Sequence, residues 1–317
     1  MTTLEPRLQQ CETATLSIAT PAPDRLRSWP SPRRPLLREI VDFFAVLVNR
    51  SIDSLPLAHA LHRRALARLE YTEVPLAVGA RADLDGLRIA FLTDLHVGSF
   101  LDEATLLGIC EDVVRQKPDL ICLGGDLVNS RPEEIELLDG PLRALRAPLG
   151  VYAVPGNHDH RWIADMGAWQ DYLESRGVEV LANRGRRIAR GSGSFWLCGV
   201  DDLTDGRPDM RRALVGRLPG EPTVMLAHQP DHFPEAAGFG VDLVLSGHTH
   251  GGQVKLMGWA PISHTRHGFV DGGFEDNGSR LYVSRGVGTT VLPLRVGTRP
   301  EIPFIRLVAA RAATSGC

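Results

Sequence analysis

A series of short apolar runs in this 317-residue chain each end on a group of chemically loaded polar residues. Leu87-Arg88-Ile89-Ala90-Phe91-Leu92 leads to Asp94-Leu95-His96, Leu120-Ile121-Cys122-Leu123 to Gly125-Asp126, and Val151-Tyr152-Ala153-Val154 to Gly156-Asn157-His158-Asp159. Val224-Met225-Leu226 leads to His228, and Val241-Asp242-Leu243-Val244-Leu245 to Gly247-His248-Thr249-His250. Apolar runs this short, without clean alternation, read as strands buried on both faces. In layered α/β folds the ends of neighbouring strands face one crevice, so residues far apart in sequence can converge there.

The coarse order of elements supports that reading. Strands are expected near 73–78, 87–93, 119–124, 150–154 and 178–182, with helices at 103–116, 133–146 and 166–176. Further strands are expected near 194–200, 222–227, 241–246, 280–285 and 303–309, with a short helix at 208–217. The expected fold class is α/β: two packed sheets, partly mixed in direction and flanked by helices, with an N-terminal helical extension. Residues 1–35, rich in Pro, Thr, Ser and Arg, read as a disordered leader. Residues 36–69 read as a basic amphipathic helical extension, 70–310 as the catalytic domain and 311–317 as a tail.

Charge is distributed unevenly. The whole chain carries −3, yet residues 24–68 hold Arg25, Arg27, Arg33, Arg34, Arg38, Arg50, Arg63, Arg64 and Arg68 against four acids, which makes that segment +5 and leaves −8 elsewhere. A basic leader on an acidic domain suits an anionic membrane surface, or it is a solvated helical face. The acidic remainder disfavours nucleic acid as a partner. Cys11, Cys110, Cys122, Cys198 and Cys317 show no paired spacing, so neither a disulfide framework nor a zinc ribbon is expected. No apolar run is long enough for a membrane span. Arg33-Arg34-Pro35 loosely resembles a twin-arginine export signal, but acids interrupt the apolar stretch that follows. The expected location is cytoplasmic, peripheral at the inner membrane face. The oligomeric state is left open.

The polar groups form a set of metal ligands. Asp94 and His96, two apart at a strand end, project on the same side and can share an ion. Asp126 can offer an oxygen to each of two cations, holding them together against their repulsion. Asn157 adds a carbonyl oxygen; His228, His248 and His250 add imidazoles. Mixed nitrogen and oxygen ligation suits two divalent ions of the Mn, Fe, Zn or Ni type better than Ca or Mg. Gln253 could touch substrate or shape its loop. His160, His232, His264 and His267 could line a groove or lie at the surface, and the Asp201-Asp202 pair reads as a loop.

In this order, D-x-H, GD, GNHD, a lone His and G-H-x-H, the chain resembles the calcineurin-like metallophosphoesterases. The resemblance implies a phosphate-ester hydrolase with one metal on Asp94, His96, Asp126 and His250, and a second on Asp126, Asn157, His228 and His248. It implies a hydroxide between the ions as nucleophile, His158 as proton donor to the leaving oxygen, and Asp159 as the group orienting His158. Gly286-Val287-Gly288-Thr289 with Pro293-Leu294-Arg295 looks like the branch containing bacterial membrane-associated phosphodiesterases. That likeness implies a lipid-like or nucleotide-linked substrate such as a UDP-linked diacylglucosamine. A patch of Leu256, Met257 and Trp259 would suit an acyl chain, or it is core packing. A nuclease, a phosphomonoesterase and a non-catalytic binding module are the alternatives.

Overall fold

The computed structural model describes residues 52, 55–77, 84–98, 100–255, 259–260, 264–290 and 292–309. The expectations for the leader, for most of the amphipathic extension, for Leu256 and Met257 and for the tail lie outside the described residues.

The strands are β1 (Glu70–Ala77), β2 (Arg88–Leu92), β3 (Leu120–Leu123), β4 (Val151–Ala153), β5 (Val178–Val180), β6 (Arg184–Arg190), β7 (Gly193–Gly199), β8 (Thr223–Leu226), β9 (Leu243–Ser246), β10 (Gly272–Asp276), β11 (Ser279–Val283) and β12 (Glu301–Val308). They form two six-stranded sheets, ordered β1-β12-β2-β3-β4-β5 and β10-β11-β9-β8-β7-β6. In the first sheet β2, β3, β4 and β5 run parallel, and β12 meets β2 antiparallel. In the second, β11, β9, β8 and β7 run parallel between antiparallel edge strands β10 and β6.

Side-chain alternation explains why the central strands read as unbroken apolar runs. Ile89, Phe91, Leu120 and Cys122 point between the sheets to meet Val224, Leu226, Leu243 and Leu245. Their neighbours Ala90, Leu92, Ile121 and Leu123 point outward into a second core. Helices cover that outer face: α2 (Glu103–Arg115) buries Leu106, Ile109, Cys110 and Val113, and α5 (Met166–Glu174) buries Ala168, Trp169, Tyr172 and Leu173. On the other side Met225 and Val244 pack with α6 (Met210–Ala213) and α7 (Phe233–Gly238). Each sheet is thus apolar on both faces, the pattern expected of covered parallel strands.

Two strands were not anticipated, and both are edges of the second sheet. β6, Arg184-Gly185-Arg186-Arg187-Ile188-Ala189-Arg190, buries only Ile188, and β10 carries Glu275 and Asp276 outward. Charge blunts an exposed edge against aggregation and also erases the apolar signal of a strand. The helix expected at 133–146 is a 3-10 turn, Pro132–Leu138, followed by α3 (Asp139–Ala144). Another short helix, α4 (Asn157–Trp162), starts inside the GNHD group.

At the N-terminal side α1 (Pro56–Leu66) turns a different face inward from the one its leucines suggest. Ala58 and His62 are buried, while Leu57 is 69% and Leu61 36% exposed. His62 Nδ1 lies 3.1 Å from Thr289 Oγ1, and its ring stacks on Phe100 at 5.6 Å. No helix among the described residues is long and apolar enough to cross a membrane.

Candidate metal centre

Each candidate ligand follows a parallel strand: Asp94 and His96 after β2, Asp126 after β3, Asn157 after β4, His228 after β8, and His248 and His250 after β9. The ladder continues past the strands and fixes these segments. Asp94 N–H donates to Gly125 O and His96 N–H to Asp126 O, each at 3.0 Å, and Gly247 N–H donates to His228 O at 3.0 Å. Asp94, His96, Asp126, His248 and His250 all adopt positive φ, between 46° and 71°. Left-handed backbone at non-glycine residues costs energy and persists where the surroundings impose it. Gly156 and Gly247 let the strands close in: a Cβ on Gly156 would collide with the Asp126 carboxylate, and one on Gly247 with that of Asp94.

The side chains converge in linked clusters. Ligand atoms of Asp94, His96 and His250 lie within 4.8 Å of one another, as do those of Asp126, His228 and His248, and those of His96, Asp126 and His158. Asp126 belongs to two of these clusters, with one carboxylate oxygen 3.3 Å from His228 Nε2 and 3.6 Å from His96 Nε2. His96 Nε2 and His250 Nε2 face each other at 3.1 Å, and His228 Nε2 faces His248 Nδ1 at 3.2 Å. Asn157 Oδ1 is buried with no hydrogen-bond partner. Facing imidazole nitrogens share at most one proton between them, whereas a cation satisfies both lone pairs and the stranded amide oxygen as well. The donor set therefore fits divalent ions.

The electrostatics agree for three of the four candidate-ligand histidines and separate His228 from them. Burial, then neighbouring His158, holds His96 well below the usual imidazole range; burial, His96 and Arg295 do the same to His250. Burial and His228 lower His248 to about 3, so these rings are neutral and keep their lone pairs. Burial works to lower His228 too, but the Asp126 carboxylate outweighs it and raises the ring to about 10. For Asp126 burial works upward and is overcome by His228 and His158, which keep it well below the usual carboxylate range. Burial raises Asp94 to about 6, with His228 opposing.

His158 lies beside this cluster, but Asp159 does not orient it. The Asp159 carboxylate accepts the N–H groups of Gly156, Leu127 and Val128, at 2.9, 3.0 and 3.3 Å. His158 Nδ1 lies instead 2.6 Å from the backbone carbonyl of Asn129. The correction has a local cause. Asp159 is the third residue of α4, so its carboxylate turns back to cap the free amide of Gly156.

Of the other candidates, Gln253 is held in its loop, donating to Thr290 O and Leu292 O and accepting from Thr290 N–H. Asp202 caps the turn through the Thr204 and Asp205 amides, and His160 pairs with Asp201 at 2.6 Å. Arg161 pairs with Asp205 at 3.4 Å. His264 is exposed and approaches the centre, its ring 6.0 Å from that of His248. His232 is buried, and Trp259 is 67% exposed. Arg295, noted in the sequence only as part of the Pro293-Leu294-Arg295 segment, stands behind the centre. Its guanidinium donates to the carbonyls of His250 and Gly286 at 3.2 Å each, tying the last ligand loop to the segment before β12.

The strand ends of this covered α/β sandwich thus gather carboxylate-histidine clusters, linked through Asp126, that could hold metal ions. The chain matches the family model of the calcineurin-like phosphoesterases over residues 87–252, and it belongs to that family. It is 32% identical to an uncharacterised metallophosphoesterase of Helicobacter pylori, over 78% of this chain and 66% of that protein. It is 31% identical to the uncharacterised metallophosphoesterase YkuE of Bacillus subtilis, over 70% of this chain and 79% of that one. It is also 34% identical to phosphodiesterase YaeI of Escherichia coli, over 70% of this chain and 82% of that protein.

Proposed function

We propose that the chain hydrolyses a phosphodiester or pyrophosphate bond with two divalent cations. One would be held by Asp94, His96, Asp126 and His250, the other by Asp126, Asn157, His228 and His248. The observation that carries this reading is the place of Asp126 between the clusters: it groups with His228 and His248 on one side and, on the other, with His96, itself a member of the Asp94, His96 and His250 cluster, and a shared carboxylate is what allows paired cations to sit close together. Bound there, the ions would lower the pKa of a water and neutralise the phosphoryl oxygens. The chain itself supplies the proton donor. His158 gives its Nδ1–H to Asn129 O, which leaves Nε2 to protonate the departing oxygen.

The substrate we infer is a lipid-like or nucleotide-linked phosphate ester, of the UDP-linked diacylglucosamine kind, met by a peripheral enzyme at an anionic membrane. A groove of about 220 Å³ between α1 and the 294–300 segment supports this, because Arg64, Arg68 and Arg299 line it together with Leu61 and Val296. Leu57 is exposed on α1, and Leu55 and Leu292 are exposed just before the two segments. Basic rims around exposed leucines suit anionic headgroups over acyl chains. Arg295 lines this groove and also reaches His250, so the surface backs onto the metal centre. The name of the Escherichia coli relative favours diesters over monoesters.

The test is hydrolysis of bis-p-nitrophenyl phosphate beside p-nitrophenyl phosphate by metal-stripped protein, reloaded separately with Mn, Fe(II), Zn, Ni or Mg. Diester hydrolysis that returns with metal and is absent in Asp126→Ala is expected. Protein that holds two ions yet cleaves neither ester under any metal would sink the enzymatic reading and leave a binding module.

A further inference from the structure

The backbone amides that follow Asp126 are gripped in succession by buried carboxylates. Leu127 and Val128 donate to Asp159, as described above. Asn129, Ser130 and Arg131 then all donate to Glu134 Oε2, at 2.8, 2.7 and 3.1 Å. The other Glu134 oxygen accepts from Ser130 Oγ at 3.2 Å. Glu134 is only 5% exposed. Its carboxylate fits under the chain that carries His96 because residue 98 is glycine, where a Cβ would strike the Glu134 carboxyl group. At the centre of the gripped segment stands Asn129, whose carbonyl takes the Nδ1–H of His158 at 2.6 Å.

A carbonyl can only accept, so this contact requires the proton on Nδ1 and leaves Nε2 as the working nitrogen. Where the carbonyl points then sets the tilt and tautomer of the ring. Asn129's own side chain takes no part in this, its Oδ1 being buried with no hydrogen-bond partner. The direction of the carbonyl is a property of the backbone, and three consecutive amides of that backbone are held by one side chain.

We propose that Glu134 is the positioning residue of His158: by holding the 129–131 amides it aims the Asn129 carbonyl that orients the imidazole toward the leaving oxygen. The proposal rests on the reading of His158 as proton donor given above. In that step the bond from phosphorus to the leaving oxygen breaks and the oxygen takes the Nε2 proton. The ring is left neutral with Nδ1–H still on Asn129. The attacking water supplies the new oxygen and gives up a proton to solvent, and solvent returns one to Nε2.

Glu134 is also the third residue of its 3-10 turn and caps it. A purely structural cap and a positioning residue differ in what they disturb. The experiment compares Glu134→Gln, Glu134→Asp and His158→Gln, each reloaded with the best metal. The substrates are phosphodiesters with p-nitrophenolate, which departs without help, or phenolate, which needs a proton. Glu134→Gln should lose about tenfold or more additional kcat on the phenyl ester with KM little changed. The double variant with His158→Gln should be no worse than His158→Gln alone. Glu134→Asp, which keeps the carboxylate, should recover part of the loss, and it carries the comparison if the glutamine variant does not fold. Equal losses on both esters, with additive effects in the double variant, would overturn the proposal.

A second readout does not depend on turnover. Nitrogen-15 spectra of the histidine rings, taken at alkaline pH where a ring carries one proton and assigned by difference against His158→Gln, should show the Nδ1–H tautomer in the wild type and a mixture in Glu134→Gln. A tautomer unchanged by the substitution would refute the positioning role even in an active enzyme. A tautomer that shifts in a protein without hydrolytic activity would keep that role and discard the assigned reaction.

Discussion

At the scale of single residues the site depends on a few atoms that must approach closely. Gly156 has ordinary extended backbone, so the demand on it is space rather than conformation. A methyl group there would meet the Asp126 carboxylate and backbone amide. Gly156→Ala should lose about 1–3 kcal/mol of stability by overpacking, and more in ion binding, read by urea unfolding and metal content. A variant with wild-type midpoint and full metal content would contradict the geometry. Asp126 and His248 make a second contrast. Because Asp126 would serve both ions and His248 one, Asp126→Ala should abolish binding of the pair, while His248→Ala should keep one equivalent, as counted by elemental analysis of dialysed protein. That these side chains would gather at the strand ends was legible in sequence, since residue type and spacing name the chemistry they could share. The partner of His158 was not: a backbone carbonyl leaves no trace in residue identity, and Asp159 next door was the plausible but incorrect choice.

At the scale of elements, the docking of α1 carries a pH dependence of its own. Burial, with Arg295 and His59 adding to it, lowers His62 to about 4 against an ordinary 6.5. The ring is therefore neutral in the folded state at pH values where the unfolded chain would protonate it. The stability it protects is fully present above about 6.5 and is lost as the pH falls toward about 4, by at most about 3 kcal/mol. His62→Gln cannot titrate, so its urea midpoint should fall less between about pH 7 and about pH 4.5 than that of the wild type. Identical acid sensitivity in the two proteins would remove His62 as a cause. The apolar pattern of α1 does not reveal which side packs, because Leu57 and Leu61, spaced like a core face, are exposed. The inward face is instead set by Thr289 and Phe100, residues brought to it only by the fold. The edge strands β6 and β10 escaped notice for the opposite reason, their exposed charges hiding strands that the sheet itself stabilises by pairing.

At the scale of the whole molecule, charge and apolar exposure coincide on one surface. Arg64, Arg68 and Arg299 surround the groove that Leu61 and Val296 share, while the chain outside residues 24–68 carries net negative charge. Binding to vesicles of phosphatidylglycerol should exceed binding to phosphatidylcholine and weaken with salt. The double substitution Arg64→Glu and Arg68→Glu should abolish it, measured by co-sedimentation, while leaving hydrolysis of soluble bis-p-nitrophenyl phosphate unchanged. Wild-type protein that ignores both vesicles would remove the membrane from the proposed function without touching the metal centre. The sequence by itself determined the layered α/β class, the succession of the central strands along the chain and the polar residue types at their ends, because burial on two faces and the capacity to hold a cation are written in residue chemistry. Only the tertiary structure decided which side of α1 is buried, that Asn129 and Glu134 stand behind His158, and that Arg295 joins the basic groove to His250. Those relations depend on backbone direction and on contacts between distant segments, which residue identity does not encode locally.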